Sequence, residues 1–251
     1  MDSLKIIFEN IRSKKLDAAL KLCEDNVNEG NEYIINNFKG VIYTLLNKQN
    51  LAEEFFQKSH ILNDKFEDPL KNLYLINIKK KNFTDAIKFG EKLCKLNYKN
   101  DLYFYQLAYA YELSNHNLLA IENYEICINL NGQSKIKALN NIGTLYLRNN
   151  KAKISLKYFL TAYEINKNNK LIINNILLNY IKLKDEINSD KFFLIAKTLD
   201  DQDIGFIYNE AQYYILKQKF NDAINILIKN KEKLRFLILL IDLYFNMGNF
   251  K

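Results

Sequence analysis

Along most of the chain, apolar residues recur three and four positions apart, as in Leu4, Ile7, Phe8 and Ile11, with polar turns between the stretches. That spacing predicts short amphipathic helices. A longer period lies above it. A small residue returns inside the same apolar frame at Ala19, Ala52, Ala86, Ala120, Ser155, Ser189 and Ala223, with intervals of 33, 34, 34, 35, 34 and 34 residues. One unit of this size cannot bury its own apolar face and must stack on its neighbours, so the period predicts an all-α solenoid of helical hairpins.

Other columns repeat in register with this marker. Nine residues before it stand Asn10, Tyr43, Asn77, Tyr111, Tyr146, Tyr180 and Tyr214. Twelve before it, where two helices have to approach closely, stand Gly40, Ala108, Gly143 and Ala211, and four after it come Cys23, Phe56, Tyr124, Phe159, Phe193 and Leu227. Small residues let helices touch, and aromatic rings fill the space beside them. In these columns the chain resembles the tetratricopeptide repeat (TPR) family over its whole length: seven repeats and the start of an eighth. The resemblance implies a right-handed superhelix formed by one array, residues 1–251. Several positions depart from it: Tyr74 and Leu177 occupy the small column, Gly90 stands where an aromatic is expected, and Asp64, Tyr98, Gly132 and Lys167 replace the family's usual proline after the second helix. The chain's one proline, Pro69, follows Glu67-Asp68. Asp68 is expected to cap a helix with Pro69 in its first turn, which places a helix start at the third repeat.

Composition adds limits. Seven glycines and a single proline leave no flexible linker and no internal domain boundary. The net charge of +7 comes from lysines scattered over every repeat among acids, and Asn and Ile are abundant in the manner of an AT-rich coding sequence, so no specific nucleic-acid partner is expected. Lys79-Lys80-Lys81 falls at a predicted turn and reads as a solvated corner. Cys23, Cys94 and Cys127 lie on second helices with no paired spacing, as small core residues in a reducing compartment. The N-terminus reads as an amphipathic helix rather than a leader, and the run Leu234 to Phe245 is too short to span a bilayer. A cytoplasmic location is the expectation.

Catalytic chemistry finds little support. His60 and His116 fall at a helix end and in a turn, as surface residues without a triad or metal set around them. Neighbouring carboxylates, Glu53-Glu54 and Asp200-Asp201, point in different directions on a helix, and the glycines are isolated rather than gathered in a phosphate loop. No catalytic residue, metal or cofactor is expected in this segment.

A different column carries the functional signal. Fourteen residues before the markers stand Asn72, Gln106, Asn141, Asn175 and Asn209 in five successive repeats, with Lys5 and Phe38 in the first two. First helices line the concave face in TPR proteins, so the resemblance places this ladder in the groove. A carboxamide offers both donors and an acceptor, so a row of them can satisfy the backbone of an extended peptide without reading its side chains. The ladder is similar to the one lining the repeat superhelix of O-linked N-acetylglucosamine transferases, which grips protein substrates. Asn makes up about one residue in seven, so a second use for the column stands beside the first, a bond to the neighbouring helix.

Seven residues before the markers, Arg12, Lys79, Arg148 and Lys182 would make the groove basic and favour an acidic peptide, with Asn140 and Asn174 adding polar contacts. The lysine, asparagine and arginine pattern of a clamp for a terminal carboxylate is not present on any three repeats. Asn249-Phe250-Lys251 matches the turn that precedes a second helix, leaving the eighth first helix, with Leu237, Leu240, Ile241 and Tyr244, short of its hairpin partner. This predicts that the chain is the N-terminal part of a longer protein. Two functions follow: a non-catalytic scaffold binding a peptide or partner segment in its groove, or the substrate-recognition arm of a larger glycosyltransferase or sulfotransferase. Self-association through the uncovered last helix is a further expectation.

Overall fold

The computed structural model describes residues 3–199 and 202–248 and contains, among them, fifteen α-helices and no strand. The chain divides after Lys135 into two compact units. In the first, α1 (Ser3–Arg12) pairs with α2 (Leu16–Asp25), α3 (Glu32–Leu45) with α4 (Gln49–Leu62), α5 (Glu67–Lys79) with α6 (Phe83–Leu96), and α7 (Asp101–Leu113) with α8 (Asn117–Leu130). The second holds α9 (Lys135–Arg148), apart from its first residue, and α10 (Ala152–Ile165), α11 (Lys170–Lys182) and α12 (Glu186–Leu199), α13 (Ile204–Leu216) and α14 (Phe220–Lys229), and α15 (Leu234–Asn246).

One turn closes all seven hairpins. Five residues before each marker the backbone enters the left-handed region, at Lys14, Asn47, Lys81, Asn115, Asn150, Lys184 and Gln218. The next residue's N–H then donates to the carbonyl nine residues before the marker, as in Lys15 to Asn10, Lys48 to Tyr43 and Asp185 to Tyr180, at 2.9 to 3.0 Å. The left-handed residue's own N–H bonds three residues back, as in Lys14 to Ile11. This pair of hydrogen bonds satisfies carbonyls in the last turn of each first helix and turns the chain into the second. Gly248 repeats the conformation after α15 and donates to Phe245 at 3.1 Å. Residues 249–251, on which the expected eighth turn rests, lie outside the described residues, as do Asp200 and Asp201.

The seven markers are all fully buried. Gly40 and Gly143 face the rings four residues past the marker of their own repeats: a Cβ on Gly143 would stand 2.6 Å from the Phe159 ring. In the third repeat the bulk changes sides. Tyr74 on α5 is buried, and its hydroxyl donates to the Gln106 carbonyl of the next repeat at 2.7 Å, while Gly90 on α6 makes room for Leu107. The tyrosine column has a partner three residues after the marker, in Tyr43 with Phe55 (ring centroids 5.3 Å), Tyr146 with Tyr158 (5.6 Å) and Tyr180 with Phe192 (5.6 Å).

Two expectations are corrected. Asp68 does not cap α5: the helix begins at Glu67 after Phe66, which makes no side-chain cap, and Asp68 pairs with Lys71 one turn on. Pro69 is the helix's third residue, where its missing N–H still has no intrahelical role. His60 is not a plain surface residue, because its Nδ1 is enclosed by protein.

Candidate functional site

All five ladder residues lie on first helices: Asn72 on α5 and Gln106 on α7 in the first unit, Asn141 on α9, Asn175 on α11 and Asn209 on α13 in the second. Each sits one position before a buried apolar residue (Leu73, Leu107, Ile142, Ile176) or, for Asn209, is itself buried. Three of them reach back to the preceding repeat. Asn175 Nδ2 donates to Asn140 Oδ1 at 2.8 Å, Asn209 Nδ2 to the Asn174 carbonyl at 2.9 Å, and Asn72 Nδ2 to Asn37 Oδ1 at 3.4 Å. The acceptors belong to one column, the position immediately before the ladder. A polar seam therefore ties successive first helices together within each unit.

The seam extends sideways. Asn140 Nδ2 approaches Asn141 Oδ1 at 3.4 Å, and Asn174 Nδ2 donates at 3.3 Å to Asp203, whose carboxylate also accepts the Phe206 N–H and caps α13. Gln106 is different: its Oε1 is enclosed with no hydrogen-bond partner. An enclosed acceptor without a donor costs about 1–3 kcal/mol. The ladder thus spends amide N–H groups on the fold, while Gln106 keeps an unmatched oxygen.

Two cavities open along first helices, one in each unit. The first, of about 380 Å³, is lined by Phe8 and Ile11 of α1, Asn37, Phe38 and Val41 of α3, and Asp68, Lys71 and Asn72 of α5. It brings together two members of the ladder column, Phe38 and Asn72, and its floor is apolar, with Phe8 half exposed. The second, of about 590 Å³, is lined by Ile181 and Lys182 of α11, Gln212, Ile215 and Leu216 of α13 and Leu239 of α15, with Lys184, Glu186 and Gln218 at its turn side. Lys182 belongs to the basic column. Arg12, Lys79 and Arg148, its other members, are exposed at the ends of their helices and line neither cavity. The apolar parts of both cavities escaped the sequence reading, although Phe38 standing in the amide column was a signal for the first.

Glu53 pairs with Lys80 at 2.5 Å and Glu54 with Lys58 at 2.7 Å, so the two neighbouring carboxylates do face apart. The three cysteines are buried and unpaired, and burial raises the Cys23 thiol to about 11 and those of Cys94 and Cys127 to about 12. Among the described residues no group of three or more His, Cys, Asp or Glu side chains is placed to hold a metal, and no helix is long and apolar enough to cross a membrane.

No family model matches the chain, and no curated protein sequence matches it. Solved structures do. PilF of Pseudomonas aeruginosa aligns over 85% of this chain and 99% of its own with a TM-score of 0.68 at 10% identity. YrrB, described as a TPR protein with an unusual peptide-binding site, aligns over 74% of this chain and 96% of its own, with a TM-score of 0.57 and 18% identity. Cut9, from the APC/C hetero-tetramer Cut9–Hcn1, aligns over 91% of this chain and 45% of its own, with a TM-score of 0.64 and 20% identity. The buried markers, the repeated left-handed turn and these likenesses agree: the chain has the TPR fold, an all-α solenoid of helix-turn-helix repeats.

Proposed function

We propose that this protein is a non-catalytic interaction scaffold that holds an extended segment of a partner protein along its first helices, with residues 1–251 acting as one array. The observation that carries this reading is the pair of cavities, each lined mainly by first-helix residues and each combining an apolar floor with polar side chains. An apolar side chain of the partner fills such a floor, and its backbone meets the amides beside it. Gln106 belongs to the same column, and its enclosed Oε1, without a donor in the free protein, becomes available to a backbone N–H of the partner when the side chain turns outward. Lys79, Arg148 and Lys182 favour a partner with acidic residues. Asn141, Asn175 and Asn209 serve the same face, partly by holding successive helices in register. YrrB, with the same fold, is described as having a peptide-binding site, which supports this use of the repeats.

The test is selection of binding peptides from a random display library, followed by affinity measurement against Gln106→Ala, Asn175→Ala and Lys182→Glu. Binding weakened by these changes supports the proposal, and peptides indifferent to all three sink it. In the alternative role, as the recognition arm of a glycosyltransferase or sulfotransferase, the same face would hold the substrate, and the selected peptides would be modified by the full-length enzyme. Three unpaired thiols suit a reducing, cytoplasmic setting.

Self-association has its own observation. Leu234, Ile238, Ile241 and Phe245 form one exposed apolar stripe on α15, at a spacing that keeps them on one helix face. The occupant we assign to it is the same stripe of a second copy, a self-complementary pairing of two helices. Light scattering across a dilution series distinguishes a dimer from a monomer.

A further inference from the structure

His60, in the last turn of α4, and Lys92, in α6, meet where the second helices of the second and third repeats come together. Lys92 Nζ lies 2.9 Å from His60 Nε2. An ammonium group has donors only, so Nε2 has to be the acceptor, and the neutral ring carries its proton on Nδ1. That Nδ1 is enclosed and has no hydrogen-bond partner. The contact borders a cavity of about 230 Å³ lined by His60, Asp64, Leu70, Lys92, Lys95 and Leu96. The charged groups around the ring are therefore two lysines from α6 and one carboxylate, Asp64, from the turn after α4.

We propose that the His60–Lys92 contact is a pH-sensitive joint between the second and third repeats, closed while the imidazole is neutral and opened when it takes up a proton. Protonation turns the accepting Nε2 into a donor that faces another donor, and sets two cations at hydrogen-bond distance. Lys92 then has to leave, and the adjacent cavity gives its flexible side chain room to swing. Asp64 opposes the effect but stands against two lysines.

The direction of the titration agrees with the geometry. Burial lowers the ring's pKa from its ordinary 6.5, the charge of Lys92 lowers it further, and Asp64 acts the other way. A base whose folded pKa is depressed contributes stability that is complete above the unfolded value, near 6.5, and is lost as the pH falls through that value toward the folded one. The joint is shut at neutral pH and weakens in mild acid, before most carboxylates titrate near 4.

The test follows the His60 ring by NMR through a pH titration of the whole chain, beside thermal unfolding of the wild type and His60→Gln between pH 7.5 and 5. The expected results are a neutral ring protonated on Nδ1, a midpoint below 6.5 that moves upward in Lys92→Met, and a loss of melting temperature in acid that is smaller in His60→Gln. A midpoint at or above 6.5, no movement in Lys92→Met, or equal acid sensitivity of wild type and His60→Gln overturns the proposal. If His60→Gln does not fold, the midpoint shift in Lys92→Met decides alone, because a purely structural lysine would leave it unmoved.

Discussion

Gly40 lies against the ring of Phe56 so closely that a Cβ on the glycine would stand 2.5 Å from Phe56 Cε1. The two residues belong to the two helices of one hairpin, and the same relationship recurs between Gly143 and Phe159. A glycine inside a helix ordinarily costs about 0.5–1 kcal/mol relative to alanine. Here that cost is offset by close packing of the helix pair.

Gly40→Ala and Gly143→Ala are therefore expected to destabilise, by about 1–3 kcal/mol, the range for overpacking a full core. In a helix without this contact the same change would stabilise. Urea unfolding of Gly40→Ala, and of the double change with Phe56→Leu, measures it: the second substitution should recover part of the loss.

Ser155 is one of two serines, with Ser189, in a column that is otherwise alanine. Its hydroxyl donates to the Gly143 carbonyl at 2.7 Å and accepts from Asn179 Nδ2, also at 2.7 Å, in full burial. Ser155→Ala strands the buried Asn179 amide, and a loss of about 1–3 kcal/mol is expected. Adding Asn179→Ile, the residue at the matching position in the second and third repeats (Ile42 and Ile76), should restore most of it in denaturant unfolding.

Burial sets an alkaline limit. The thiols of Cys23, Cys94 and Cys127 are raised from 9.0 to about 11, 12 and 12. The Tyr111 and Tyr213 hydroxyls, each bonded to a carboxylate, are raised from 10.0 to about 12. A raised folded pKa means that the unfolded chain loses its proton first, so this stability is complete below the unfolded values and is lost as the pH rises past them. Melting temperature should fall steadily above pH 9. A thiol reagent at pH 8 should label the cysteines only in denaturant.

The periodic part of the fold was legible because burial acts at a fixed repeat: every marker from Ala19 to Ala223 is buried in the position its column implied. The turn was less so. Its left-handed residue is Lys, Asn or Gln in all seven hairpins, never glycine, so no residue type marks the conformation. Tyr74 and Gly90 stood out as exceptions in separate columns, but that bulk lost from α6 reappears on α5 requires the packing itself. The ladder was visible as a column of amides. That Asn175 reaches Asn140, and Asn209 the Asn174 carbonyl, depends on which way each side chain turns, and the sequence holds no signal for that. His60 and Lys92 are 32 residues apart, off the repeat period, and no column joins them.

If the basic column guides an acidic partner, Lys182→Glu should weaken a selected acidic peptide several-fold, and raising the salt concentration should weaken the wild type while leaving the variant less affected. Isothermal titration at two ionic strengths measures both effects.

The most direct measurement is the map of amide chemical-shift changes when a display-selected peptide is added to the isotope-labelled chain. Perturbations concentrated on first helices, at Phe38 and Asn72, around Gln106, and at Lys182 and Gln212, are the predicted result. Perturbations confined to second helices or to the exposed stripe of α15 would contradict the assignment of the first-helix face as the binding surface.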